Sequence, residues 1–189
     1  MKVASAEFIK GIRGTDPIAY DGVPQIAFVG RSNVGKSSLI AALTHNKGLV
    51  KVSNAPGKTR EINFFLIQKK WYLVDLPGYG YARVSPTEKE KLKKLIIWYL
   101  TDSGIRPQRV VLVLDSRVCI TTFDQQMLEI LRDHKHPFSI VANKIDKLTQ
   151  RELAARLHEI RGVAGGEEVI PASAISATGS KELFKKLFG

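Results

Sequence analysis

The sequence predicts an α/β fold of three layers: a mostly parallel six-stranded sheet, one antiparallel edge strand, and helices on both faces. Two observations carry this. Short apolar runs alternate with amphipathic runs along the chain, the order expected of strand–helix–strand units. The run Val110–Asp115 is near-continuous in apolar residues, as parallel strands covered on both faces are. At 189 residues, 44% apolar and 25% charged, one domain can bury such a core without staples.

The elements follow in order. Ile26–Val29 is a short strand that runs into a glycine-rich turn. Lys36–Asn46 is a helix with Leu39, Ile40 and Leu43 on one face. Ile62–Ile67 and Trp71–Asp75 are strands joined by the polar turn Gln68-Lys69-Lys70, a hairpin that sets one edge strand antiparallel. Ser85-Pro86-Thr87-Glu88 has the form of a capping box with proline at the first helical position. The helix it opens carries Leu92, Leu95, Ile96, Tyr99 and Leu100 inward and stops near Ser103-Gly104. Val110–Asp115 is the next strand, then a helix over Asp124–His134, a strand over Phe138–Ala142 and a helix over Thr149–Arg161. Glu168–Ala172 is the last strand and Ser180–Phe188 the last helix. Residues 1–24 are expected as an N-terminal extension, an extra edge segment packed on a domain of residues 25–189.

Composition narrows the function classes. The single cysteine, Cys119, excludes an internal disulfide and fits a reducing compartment. No signal peptide and no membrane-spanning run is expected, so the reading is a cytoplasmic protein without a membrane partner. Basic residues outnumber acidic ones 29 to 18, a net charge of +11. Bound nucleotide phosphates would account for only a few of these charges, so the balance predicts a polyanionic partner.

Chemistry concentrates where strands end. Gly30-Arg31-Ser32-Asn33-Val34-Gly35-Lys36-Ser37 follows a strand, opens a helix and matches G-x-x-x-x-G-K-[ST]. Glycines let the backbone wrap phosphates, and the helix N-terminus offers free N–H groups with partial positive charge. Lys36 can reach the β- and γ-phosphates, and the Ser37 hydroxyl can ligate Mg²⁺. Ser38 follows in the same first turn. Asp75-Leu76-Pro77-Gly78 closes another strand: Asp75 can hold Mg²⁺ through water, and Gly78 can give its N–H to a γ-phosphate. Asn143-Lys144-Ile145-Asp146 matches N-K-x-D after a third strand. The Asp146 carboxylate can accept both N1–H and the 2-amino group of guanine, and adenine offers neither donor. The Lys144 stem can lie over the base, and Asn143 can tie this segment to the phosphate loop. After the last strand, a backbone N–H at Ser173-Ala174 can meet guanine O6. Thr59, in the polar loop Ser53–Arg60 that also holds Gly57, can bind Mg²⁺ and the γ-phosphate. That loop and Pro77–Val84 are the expected switches. Lys36, Thr59 and Gly78 are thus the candidate catalytic groups for hydrolysis of GTP to GDP and phosphate.

Taken in order, these motifs resemble the G domain of small phosphate-binding-loop (P-loop) NTPases. Longer strings resemble the EngB type of bacterial GTPase, within the class that also holds TrmE, Era and EngA. They are Phe28–Ile40, Pro56-Gly57-Lys58-Thr59-Arg60 with Ile62–Phe65, Val74-Asp75-Leu76-Pro77-Gly78-Tyr79-Gly80-Tyr81-Ala82, and Asp115-Ser116-Arg117. Two departures are visible. That family usually has Thr-Lys-x-Asp where this chain has Asn143-Lys144-Ile145-Asp146. It usually has Phe-Ser-Ser where this chain has Ala172-Ser173-Ala174. The resemblance implies assembly of the large (50S) ribosomal subunit, a need in growth and cell division, ribosomal RNA as the polyanion, Mg²⁺ as cofactor, and a monomer. Lys47–Arg60, with four basic residues and no acidic one, is the candidate segment for coupling the switch to RNA.

Many GTPases place a water-orienting glutamine directly after D-x-x-G. Here that residue is Tyr79, which predicts slow turnover until a partner completes the site. Some GTPases of similar type, with Asn at the position of Asn33, bind K⁺ beside the phosphates, so K⁺ stimulation is a further expectation. Three alternatives stay open. One is a GTP- and RNA-binding module with negligible turnover. The others are a GTPase of tRNA modification or membrane traffic, and an ATPase, whose base would leave Asp146 without its donor pair.

Overall fold

In the computed structural model, which describes residues 5–46, 48–49, 60–80 and 85–189, strand direction and side-chain alternation build three layers. β1 (Ala6–Ile12), β2 (Gln25–Val29), β3 (Ile62–Ile67), β4 (Trp71–Asp75), β5 (Arg109–Asp115), β6 (Phe138–Asn143) and β7 (Val169–Pro171) form one sheet in the order β1-β3-β4-β2-β5-β6-β7. β2 lies between β4 and β5, parallel to both. Its residues are all buried, the reason its sequence reads as a continuous apolar run.

The period of two along β2 sorts the core. Ile26 and Phe28 pack with Leu39, Ile40 and Leu43 of α1 (Lys36–Thr44). Leu183 and Leu187 of the last helix (Ser180–Phe188) join that face. Ala27 and Val29 face the other way, toward α2 (Pro86–Ile97), α3 (Thr122–Asp133) and α4 (Gln150–Ala164). The last helix is α5. Thr121 and Thr149 close full capping boxes on α3 and α4. At α2 the Ser85 half of the expected box is formed, with Ser85 Oγ accepting from Glu88 N at 3.2 Å. From α2 the helix continues through a π-helical turn at Trp98–Asp102 and stops before Gly104, whose φ of 76° is left-handed. That turn carries the apolar stripe on to Tyr99 and Leu100. The three-residue β3–β4 turn has positive φ at Gln68 and Lys69 and is closed by Lys70 N donating to the Ile67 carbonyl at 2.9 Å.

The expected strand count is corrected from six to seven. One strand, β3, does run opposite to its neighbours, but β1 pairs on it antiparallel, so β3 is interior and not the edge. The physical reason β1 escapes a period-two reading is a bulge between Phe8 and Lys10. Phe8 packs on Phe65 with ring centroids 5.6 Å apart, in the core under α1 and α5. Ile12, four residues on, lies in the opposite core opposite Ile62. One extra residue moves the alternation to the other face.

Candidate functional site

All the strand-end motifs lie at the carboxyl ends of the parallel strands. The phosphate loop leaves β2 at Gly30, whose φ is 153° and where a Cβ would come within 2.3 Å of the Val113 carbonyl. Gly35 has φ 103°, and a Cβ there would meet Asn143 Nδ2 at 2.4 Å. Only glycine passes at either point. The first bond of α1 runs from Leu39 N to the Gly35 carbonyl at 2.8 Å. The amides of Lys36, Ser37 and Ser38 therefore have no helical carbonyl to meet, which leaves them for an anion.

Lys36 is buried, and its Nζ donates to the carbonyls of Gly30 at 3.0 Å and Arg31 at 3.3 Å. Burial pulls it down to about 8 against the opposing pull of Asp75. Burial likewise raises the Asp75 carboxyl, while Lys36 and Ser37 lower it. Ser37 Oγ donates to Asp75 Oδ2 at 2.5 Å, and Asp75 Oδ1 is buried without a partner among the described residues. A buried carboxylate with a free oxygen beside a hydroxyl is a donor set that fits a hard divalent cation such as Mg²⁺.

The segment after Asp75 is folded onto the phosphate loop. A Cβ on Gly78 would lie 2.6 Å from Ser32 Cα and 3.1 Å from Lys36 Nζ. Ser32 N donates to the Tyr79 carbonyl at 2.7 Å. The Tyr79 side chain turns away from the loop into the core with Ile96 and Met127. Its hydroxyl donates to Asp124 Oδ1 at 2.7 Å, and its ring lies 6.2 Å from that of Phe123. Burial and the adjoining Asp124 carboxylate push Tyr79 well above its ordinary value. Tyr79 stands where many GTPases have glutamine, and nothing local in the sequence signals its bond to Asp124.

The N-K-x-D segment is wired to the phosphate loop. Asn143 Nδ2 donates to the Val34 carbonyl at 2.8 Å, the tie expected from the sequence. Lys144, left-handed at φ 66°, sends Nζ to the Asn33 carbonyl at 2.5 Å and to Asp115 Oδ2 at 2.7 Å. Asn33 is itself left-handed at φ 62°. Ser173 Oγ donates to Asp146 Oδ1 at 2.6 Å, a bond that lowers the Asp146 carboxyl and keeps it an acceptor. Ala174 N, expected to face guanine O6, makes a long 3.3 Å bond to Asn143 Oδ1 instead. Gly57 and Thr59, with the rest of residues 50–59 and with residues 81–84, lie outside the described residues. So does most of the basic segment Lys47–Arg60.

The profile of a family described as 50S ribosome-binding GTPase matches residues 25–144. A probable GTP-binding protein EngB from Chlorobium luteolum is 46% identical over 186 residues, covering 97% of this chain and 88% of that one. This chain belongs to the EngB family of GTP-binding proteins. A second EngB relative, from Clostridium kluyveri, is 45% identical over 192 residues, covering 99% and 96% of the two chains. Among solved structures, a probable GTP-binding protein engB superposes with a TM-score of 0.74 at 25% identity, covering 87% of this chain and 96% of that one. Era, in complex with MgGDPNP and a segment of 16S ribosomal RNA, shares the fold with a TM-score of 0.66 at 23% identity. That match covers 87% of this chain and 55% of Era. The expected G domain is therefore the fold of this molecule, and of the EngB strings, Phe28–Ile40, Val74–Gly80 and Asp115-Ser116-Arg117 stand at its strand ends.

Proposed function

We propose that the chain hydrolyses GTP and acts as a nucleotide-dependent switch in assembly of the large ribosomal subunit, supporting growth and cell division from the cytoplasm as a monomer. The observation that carries this is the tie of Asn143 and Lys144 to the loop Gly30–Ser37, with Asp146 of the same segment held by Ser173. It supports reading the segment and the loop as one unit, a guanine acceptor joined to a phosphate cradle. In this reading residues 25–189 are the GTP-binding unit and residues 1–24 an extension. The net charge of +11 supports ribosomal RNA as the larger partner.

Each group then has a task. Asp146 accepts N1–H and the 2-amino group of guanine, and the Lys144 stem covers the base. The amides of Arg31 through Ser38 and the Lys36 ammonium hold the phosphates. Ser37 and Asp75, with Thr59 from the loop outside the described residues, are the groups to hold Mg²⁺. The ion would supply charge neutralisation on the β- and γ-phosphate oxygens. Gly78 gives its N–H to the γ-phosphate in this reading. Tyr79 supplies no acceptor for the attacking water, since its side chain is turned away from the loop into the core, with its hydroxyl on Asp124. Unassisted turnover is therefore slow, and a partner that orders the site raises it. Asn33 carries the proposal of K⁺ stimulation, checked by comparing rates in K⁺ and Na⁺.

A second reading, a GTP- and RNA-binding module with negligible turnover, is favoured by the same Tyr79 geometry. Single-turnover hydrolysis with and without ribosomal subunits separates the two. The main proposal is tested by co-sedimentation with large subunits in GDP against a non-hydrolysable GTP analogue. Binding that depends on the nucleotide is expected, and equal binding in both would overturn the switch.

A further inference from the structure

Asp115 ends β5 directly beside Asn143 of β6 and belongs to none of the nucleotide motifs. Its carboxylate is about one-tenth exposed and is ringed by donors. Arg117 contributes its backbone N at 3.1 Å, Nε at 2.9 Å and Nη2 at 2.7 Å. Lys144 Nζ contributes the fourth bond at 2.7 Å. Burial alone would raise the Asp115 carboxyl, but the bonds from Arg117 and Lys144 outweigh it and hold the group at about 2. It is therefore a fixed negative charge at any physiological pH.

From these contacts we infer that Asp115 is a positioning residue for the nucleotide: it clamps the Lys144 ammonium onto the phosphate loop and so lays the Lys144 stem across the guanine pocket. Lys144 leaves the backbone from a left-handed conformation and ends on two acceptors, Asp115 and the Asn33 carbonyl. With only the neutral carbonyl to hold it, a flexible four-carbon stem would spread over its rotamers. The base would lose its platform, and Asn33 its brace. Arg117 touches the same carboxylate from the outside, with its own side chain half exposed, and does not reach the loop through Lys144.

This inference rests on the guanine-nucleotide reading above and is tested by release of a fluorescent GDP from the intact chain. Asp115→Asn keeps the shape and loses the charge. It is expected to release GDP about tenfold faster, between the cost of an exposed and of a fully buried ion pair. Lys144→Met is expected to do at least as much. The double variant should be no faster than Lys144→Met within about twofold, because both changes remove one linkage. In steady state the Asp115→Asn effect should appear in KM and not in kcat. Asp115→Glu should recover release to within about threefold, and Arg117→Ala should change it less than about threefold. Unchanged release in Asp115→Asn, additive effects in the double variant, or an Arg117→Ala effect as large as that of Asp115→Asn would each overturn the role. Wild-type protein that takes adenine nucleotides as well as guanine ones would instead sink the parent reading, so the two failures are distinct.

Discussion

At the base end of the site, side chains reach across to the phosphate loop: Asn143 to Val34, Lys144 to Asn33, with Ser173 steadying Asp146. At the phosphate end the groups turn on themselves. Lys36 is bonded to the carbonyls of its own loop, and Gly78 and Tyr79 lie against Ser32. The base end is thus preformed, whereas the phosphate end has to exchange internal bonds for bonds to ligand. The proposed function then assigns base choice to the first region and state-dependence to the second, with both contributing affinity. Preformed acceptors bind without ordering cost, and a folded-over loop supplies two alternatives for the nucleotide to choose between.

The largest effect that can sharpen this contrast is at Lys36. Lys36→Ala removes the only buried ammonium of the described residues at the phosphate end, a loss of about 3–4 kcal/mol for groups of this kind. GDP and GTP should both bind several hundred-fold more weakly by fluorescence titration. Asp146→Asn comes next. It exchanges an acceptor for a donor on one arm, so GTP affinity should fall about a hundredfold while xanthosine triphosphate gains. A variant that keeps its guanine preference would break the assignment of the base end.

The third effect is one of pH. Before nucleotide arrives, burial holds Lys36 at about 8, and only the ammonium form serves phosphate. Below pH 8 the group is already protonated and the affinity is flat. Above it, binding must also take up a proton, which weakens affinity by up to tenfold per unit. GDP should bind about tenfold more weakly at pH 9 than at pH 7, and Lys36→Arg, always charged, should level the profile. A flat wild-type profile would contradict the buried environment described for Lys36.

The smallest effect is expected at Tyr79→Phe. Losing its bond to Asp124 loosens the segment folded on Ser32, at a cost of about 1 kcal/mol. GTP should gain on GDP by about threefold in the ratio of dissociation constants. An unchanged ratio would separate that segment from choice of state.

Much of the base end was legible in sequence, because each of its groups stands at a fixed offset from a strand end. The Asn143–Val34 tie could be anticipated from the N-K-x-D pattern alone. The bond from Tyr79 to Asp124 joins residues 45 apart, and that from Lys144 to Asp115 joins residues 29 apart. No local periodicity encodes such pairs; they follow from how β5, β6 and α3 are brought together. Asp115 did carry a signal, as the first residue of the EngB-like string Asp115-Ser116-Arg117 at the end of an apolar run, but its place beside Asn143 comes from strand pairing. β1 was illegible for another reason. Its bulge places Phe8 and Ile12 on opposite faces, and a pattern of two cannot survive the extra residue. Ala174 stood at the right place in the order, but its N–H is turned to Asn143, a choice of partner that chain order does not determine.

The most direct measurement is competition between guanine and adenine nucleotides for the purified chain, with GDP, GTP, ADP and ATP titrated against one fluorescent probe. A preformed Asp146 acceptor joined to the phosphate loop predicts that both guanine nucleotides displace the probe at concentrations at least a hundredfold below their adenine counterparts. Displacement by ATP at the same concentration as GTP would contradict it.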